Sequence, residues 1–106
     1  MSWDVWLEID TGGRDPAAVT EGHNYTYNVS LMLQEAGLTV GALDGVLAGT
    51  ARGILDAAIE KMKADPNKYR EMNPKNGWGH YEGALHWLEK IRGDCMRHPK
   101  ATVRVG

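Results

Sequence analysis

Several residue types are scarce in this chain, and each scarcity excludes a class of protein. Cys95 is the only cysteine among 106 residues, so an internal disulfide is excluded and a reducing cytosol is the expected environment. Phenylalanine is absent, while tryptophan and tyrosine number four each. The aromatic area is therefore carried by side chains with a polar group, which needs a hydrogen-bond partner when it is buried.

An excess of one charge and long apolar runs are also missing. The net charge is −2, whereas a nucleic-acid footprint needs clustered lysine and arginine. No apolar run approaches membrane-spanning length, and the first residues lack the basic and apolar regions of a secretory signal. The length of 106 residues fits one domain, 1–106, with a single core. We expect a protein that engages neither nucleic acid nor a membrane.

Alternating side chains near both ends of the chain predict strands. Residues 2–10 alternate between apolar and mostly polar side chains, which is typical of a half-buried strand, and residues 101–105 repeat the pattern. Pairing the two strands would bring Arg104 close to the acidic outer face of the first one. Because an isolated two-stranded ribbon is only marginally stable, either helices cover its apolar face or a third strand comes from the middle of the chain or another subunit.

Between these strands the hydrophobic period is helical. The predicted helices cover 28–36, about 50–64, 66–72 and about 81–96. The segment 11–23 contains Gly, Asp and Pro, and the segment 38–49 has glycines at 41, 45 and 49, so both are interpreted as loops. The predicted class is therefore α+β, with a small antiparallel sheet from the N- and C-terminal strands covered on one face by three to four helices.

The loop 73–81 is the most informative segment, because it combines amides, glycines and aromatic rings. In one interpretation Trp78 or Tyr81 offers a stacking face, while Asn73 and Asn76 contact the polar edges of a ligand. Free amides at the start of the last helix would then attract an anionic group. In the other interpretation Trp78 fills the core, and the Asn side chains hold the turn through local backbone hydrogen bonds.

The segment 24–28 is the only other place where amide and aromatic side chains interleave. If it lies beside the loop 73–81, the two segments form a pocket that suits a nucleotide-like ligand. Otherwise it is a capped helix start with two partly buried tyrosines. The predicted ligand-binding set contains Asn24, Tyr25, Asn73, Asn76, Trp78, His80 and Tyr81.

Two further hypotheses use other chemistry. Trp6 interrupts the acidic face of the first strand, and an aromatic side chain in such a setting resembles an interface anchor for a host protein or for a second copy of the chain. His80 is the best-placed general base for a small hydrolase, although no recognisable nucleophile is paired with it. No metal or cofactor is expected, because Cys95 and His86 lie on different faces of the last helix.

Four separated blocks carry a family resemblance over nearly the whole chain, namely Trp3–Gly13, Asn24–Ser30, Met72–Gly79 and His98–Val103. They resemble a family of small uncharacterised proteins encoded by bacteriophages of actinobacteria. The resemblance implies a location in the host bacterial cytoplasm and an accessory role in infection, and it transfers no residue role. The leading hypothesis is a non-enzymatic phage accessory protein that binds a small nucleotide-like ligand. The alternatives are a protein inhibitor of a host factor and the hydrolase.

Overall fold

The computed structural model describes residues 1–13 and 15–106. Its strands and helices, in chain order, are β1 Ser2–Ile9, β2 Ala17–Ala18, β3 His23–Thr26, α1 Ser30–Glu35, α2 Ala48–Ala64, α3 Pro66–Arg70, α4 Tyr81–Arg97 and β4 Thr102–Val105. Short 3-10 helices cover Tyr27–Val29 and Val40–Leu43. The predicted α+β class, with terminal strands in one antiparallel sheet and helices packed against it, is confirmed.

β1 is the central strand of the sheet. Val5 pairs with His23 of β3 on one side and with Val105 of β4 on the other, and all pairings are antiparallel. The predicted pairing of the two terminal strands is confirmed, and the additional strand comes from the middle of the chain. The loop prediction for 11–23 is therefore wrong where β2 and the start of β3 lie. Because β2 is two exposed alanines held by backbone hydrogen bonds, it leaves no hydrophobic alternation to detect.

The core lies between the inner face of β1 and the helices. Val5 and Leu7 are fully buried there, which agrees with the alternation of the strand. α2 and α4 are antiparallel, because the Tyr81 hydroxyl at the start of α4 donates to the carbonyl of Met62 near the end of α2 (2.9 Å). The predicted apolar face of α2 is buried except for Ile54, which is 39% exposed. Within the described parts of the chain, no helix is long and apolar enough to cross a membrane.

The start of α2 differs from its prediction. The helix begins at Ala48, two residues before the predicted start, and shortens the loop predicted over 38–49, which also contains a 3-10 helix. The Ala48 amide donates to the carbonyl of Ala101 (2.8 Å), so a contact with the distant C-terminal segment supports the first turn. Local periodicity carries no information about such a contact.

β3 divides the molecule into an inner side and an outer side. His23 and Tyr25 point inward together with their cross-strand partners Val5 and Trp3, whereas Asn24 and Thr26 point to the open face. On the inner side Tyr25 stacks on Trp87 (ring centroids 5.9 Å apart), which also stacks on Trp3 (5.6 Å). The open face at this end of the sheet is where the candidate site lies.

Candidate functional site

An open pocket of about 520 Å³ lies where the N-terminal residues, β3 and the loop before α4 meet. This volume is within the range of roughly 300–1,000 Å³ that small-molecule sites occupy. The two segments that the sequence analysis singled out, 24–28 and 73–81, therefore lie side by side, and none of the lining side chains is charged. We call this site the asparagine pocket, and its lining residues are Met1, Ser2, Asn24, Thr26, Asn28, Asn76 and Trp78.

The β3 wall of the pocket is fixed against β1. The Asn24 amide nitrogen Nδ2 donates to the Ser2 hydroxyl (2.9 Å), the Trp3 carbonyl (3.1 Å) and Oδ1 of Asp4 (3.2 Å). These three bonds orient the side chain, because only the NH₂ end of an amide can donate. Oδ1 of Asn24 accepts no hydrogen bond from the described residues, so it remains available at the pocket.

The loop wall of the pocket is fixed by hydrogen bonds and by one close backbone approach. The Trp78 amide donates to Oδ1 of Asn76 (2.9 Å), and Nδ2 of Asn28 donates to the Trp78 carbonyl (3.4 Å). Gly79 has φ +99°, and a Cβ at this position would lie only 2.7 Å from Cγ2 of Thr26. The backbone around Trp78 is thus docked on β3, which leaves the indole 70% exposed at the pocket and outside the core.

Tyr25 and His80 support the loop and do not line the pocket. The Tyr25 hydroxyl accepts a hydrogen bond from the His80 amide (3.1 Å), and Nδ1 of His80 accepts one from the Gly83 amide (2.9 Å), which caps α4. Because Nδ1 uses its lone pair in this cap, the neutral His80 ring carries its proton on Nε2 and offers a donor to solvent. A general base needs a free lone pair, so this geometry gives the hydrolase hypothesis no support.

Asn73 and Tyr81 also lie away from the pocket. Oδ1 of Asn73 accepts a hydrogen bond from the Tyr81 amide (2.8 Å), which satisfies one of the free N–H groups at the start of α4. The Tyr81 side chain is only 3% exposed and stacks on Tyr69, with ring centroids 6.4 Å apart. These two residues join the loop to the core, so the predicted ligand-binding set divides into Asn24, Asn76 and Trp78 at the pocket and four residues that position the loop.

Three lining residues with side-chain oxygen, Ser2, Thr26 and Asn28, were not in the predicted set. Asn24 and Thr26 lie two positions apart in an extended strand, and Asn28 follows at the same interval in the 3-10 helix. This period of two was visible in the sequence and places polar side chains on one side of β3. Ser2 pairs with Thr26 across the sheet, and no local pattern shows that pairing.

Trp6 lies on the same open face, farther along β1. Its indole Nε1 donates to Oε2 of Glu8 (3.0 Å), and its ring packs so close to Gly106 that a Cβ there would lie 2.9 Å away. The pKa of Glu8 is held below its ordinary value by the Trp6 hydrogen bond first and by the Arg104 guanidinium (3.1 Å) second. Trp6 is half-buried and engaged within its own sheet, so it is less exposed than the interface hypothesis assumed.

Other side chains that could take part in chemistry lie on the inner side. Burial raises the pKa of the Cys95 thiol to about 11, with a further contribution from the Asp94 carboxylate, so little reactive thiolate is present at neutral pH. Nε2 of His23 lies 2.7 Å from Oδ2 of Asp94, and the other oxygen of this carboxylate, Oδ1, pairs with Arg97. Across residues 1–13 and 15–106, no three His, Cys, Asp or Glu side chains converge as a metal ion would require.

Comparisons with known proteins returned no match: no protein family, no curated protein and no solved structure was found to be similar to this chain. The phage-family resemblance of the sequence therefore stays a prediction. The geometry of the asparagine pocket is therefore the structural basis for inferring a function.

Proposed function

We propose that this protein is a non-enzymatic accessory protein that binds a small nucleotide-like ligand in the asparagine pocket. The observation that carries the proposal is the exposed indole of Trp78, held on a docked loop beside the amides of Asn24, Asn28 and Asn76. A flat aromatic face next to amide groups is suited to stack a heterocyclic ring and to hydrogen-bond its edge.

The fixed backbone of the loop is what distinguishes Trp78 from an ordinary exposed apolar residue. Single exposed hydrophobic side chains are common and carry no functional meaning by themselves. Here the hydrogen bonds on both sides of Trp78 and the close approach of Gly79 to Thr26 hold the backbone that carries the indole before a ligand arrives. Preorganisation of this kind lowers the entropy lost on binding.

The biological setting is proposed from the sequence resemblance alone. The resemblance of four blocks to small phage proteins supports a role during infection of a bacterial host, in the host cytoplasm. In that setting a ligand-binding protein of this size would act by sequestering or sensing a host metabolite or signal with a heterocyclic ring.

The test is a binding screen combined with one substitution. Nucleosides, nucleotides and bacterial cyclic nucleotides are screened by thermal shift, and each hit is measured by titration calorimetry. Because stacking on an aromatic side chain contributes about 1–3 kcal/mol, Trp78→Ala should weaken binding by roughly tenfold or more. The melting temperature should stay the same, since the indole is outside the core.

Leu31→Ala is the matched control, because Leu31 is 72% exposed and does not line the pocket. This variant should bind each hit as the native protein does. The proposal fails if no ligand of these classes binds at millimolar concentration, or if Trp78→Ala binds a hit as tightly as the native protein.

A further inference from the structure

We infer, relying on the proposed function, that the asparagine pocket selects a guanine-type ring and prefers the unphosphorylated nucleoside to its phosphate esters. Two observations support this inference. The first is the set of pocket donors and acceptors that have no partner among the described residues, and the second is the charge around the pocket.

Among the asparagine side chains of the pocket, two oxygens and one nitrogen make no hydrogen bond to the described residues. Asn24 and Asn28 each donate through Nδ2, so each leaves Oδ1 as an acceptor. Asn76 does the reverse, because its Oδ1 accepts from the Trp78 amide and its Nδ2 remains as a donor. The Trp78 indole Nε1 donates to none of the described residues, whereas the indoles of Trp6 and Trp87 are both engaged.

A guanine ring matches this set better than the other bases. Its N1–H and its exocyclic N2–H₂ are adjacent donors, which fit the Oδ1 atoms of Asn24 and Asn28. Its O6 is an acceptor, which fits Nδ2 of Asn76. Adenine has a single exocyclic donor group and no ring N–H, so it would leave one acceptor of the pocket unused. A purine also covers more of an indole face than a pyrimidine does.

The charge around the pocket argues against a phosphate group. Phosphate is bound by Arg, Lys or free backbone amides, and no basic side chain lines this pocket. The nearest charge along the hydrogen-bond network is negative, because Nδ2 of Asn24 also contacts the Asp4 carboxylate (3.2 Å). Apart from the exposed α-amino group of Met1, a phosphate ester would therefore meet no positive charge in the lining, and it would meet the like charge of Asp4. Lys75 precedes Asn76 in the loop, but it is not among the lining residues.

The ligand comparison uses titration calorimetry with guanosine, inosine, adenosine, cytidine and guanosine monophosphate. Guanosine should bind most tightly. Inosine lacks only the exocyclic amine and should bind roughly five- to tenfold more weakly, which corresponds to one lost hydrogen bond. Guanosine monophosphate should bind about threefold more weakly than guanosine, as expected for a like charge near the surface.

Asn76→Asp is the most informative variant, because it replaces the Nδ2 donor of the side chain and preserves the oxygen acceptor. The aspartate keeps an oxygen acceptor for the Trp78 amide, so the loop should stay folded, but it replaces the Nδ2 donor by a carboxylate oxygen facing O6. Guanosine affinity should fall roughly tenfold or more. Asn67→Asp is the control, since it makes the same charge change at an exposed position on α3 away from the pocket.

Nitrogen-15 NMR spectra show where the ligand sits. The indole N–H signal of Trp78 should shift with guanosine, whereas those of Trp6 and Trp87 should stay in place because both are already hydrogen-bonded. If guanosine binds no better than inosine, adenosine or its own monophosphate, the guanine inference is overturned while a Trp78-dependent ligand site survives. If none of the five compounds binds and the wider screen also finds nothing, the proposed function falls as well.

Discussion

The two sides of β3 contain the same residue types and use them in different ways. On the inner side Trp87 stacks between Trp3 and Tyr25, and its indole N–H donates to the His23 carbonyl (2.9 Å). On the outer side Trp78 is exposed, and its indole N–H has no partner among the described residues. Trp87 is buried and Trp78 is exposed, so composition alone does not distinguish an aromatic residue of the core from one at a site.

The largest expected effect comes from exchanging the two tryptophans for alanine one at a time. Trp87→Ala should lower the free energy of unfolding by about 3–5 kcal/mol, since it removes a large buried ring from a stack. Trp78→Ala should change it by no more than about 0.5 kcal/mol, because its ring is outside the core. Urea denaturation followed by circular dichroism measures both, and equal losses would abolish the distinction between the two sides.

The next effect concerns the glycine that docks the loop. Gly79→Ala combines a left-handed backbone with a clash, because its Cβ would lie 2.7 Å from Thr26, and it should destabilise the protein by about 2–3 kcal/mol. Gly77 has a similar φ of +78° with no atom within 4 Å of a Cβ, so Gly77→Ala should cost only about 1 kcal/mol.

Gly79→Ala also tests whether docking of the loop positions the pocket. The variant should bind any ligand of the native protein more weakly than Gly77→Ala does, when both are measured by calorimetry well below their melting temperatures. If the two variants lose the same stability and retain the same affinity, docking of the loop on β3 does not position the pocket.

A smaller effect compares a buried ion pair on the inner side with an exposed one. Asp94 is only 6% exposed and contacts both His23 and Arg97. Asp94→Asn should cost about 2 kcal/mol, because it removes charge-assisted hydrogen bonds from a desolvated site. Asp56→Asn removes exposed pairs with Arg52 (3.6 Å) and Arg92 (3.5 Å) and should cost about 0.5 kcal/mol or less. Thermal and urea unfolding of the two variants decide whether burial controls the difference.

Much of the fold could be predicted because its main signals are local. The alternation in β1 and β4 and the helical period of α2 and α4 lie in consecutive residues. β2 was missed because two exposed alanines give no pattern, and the early start of α2 was missed because the carbonyl of Ala101 supports it from across the sheet. Tertiary hydrogen bonds of this kind cannot be recovered from a single sequence.

At the candidate site, too, local signals could be predicted from the sequence and long-range contacts could not. Asn24, Asn76 and Trp78 were found from composition, but the direction of the indole depends on the approach of Gly79 to β3, which is a long-range contact. Tyr81 is different, because it continues the buried apolar stripe of α4, and that periodicity is a stronger signal than its position in an aromatic loop. When a residue is assigned to the core or to a site from its sequence, hydrophobic periodicity should therefore outweigh local composition where the two disagree.

The smallest expected effect tests the charges on the outer face. The pKa of Glu8 is lowered in the folded state by the Trp6 indole and then by Arg104. A group whose pKa is lower in the folded state stabilises the protein above its unfolded pKa, and this contribution is lost as the pH falls through the folded value. Glu8→Gln should therefore lower stability slightly near neutral pH and should make the melting temperature less sensitive to acid. Melting temperatures measured from pH 7 down to about pH 3, a range that spans the ordinary carboxyl pKa, test this. If the variant and the native protein gave parallel acid profiles, the hydrogen-bonded cluster of Trp6, Glu8 and Arg104 would be as loosely held as the exposed Trp78 indole. The contrast between the engaged Trp6 and the available Trp78 would then be lost.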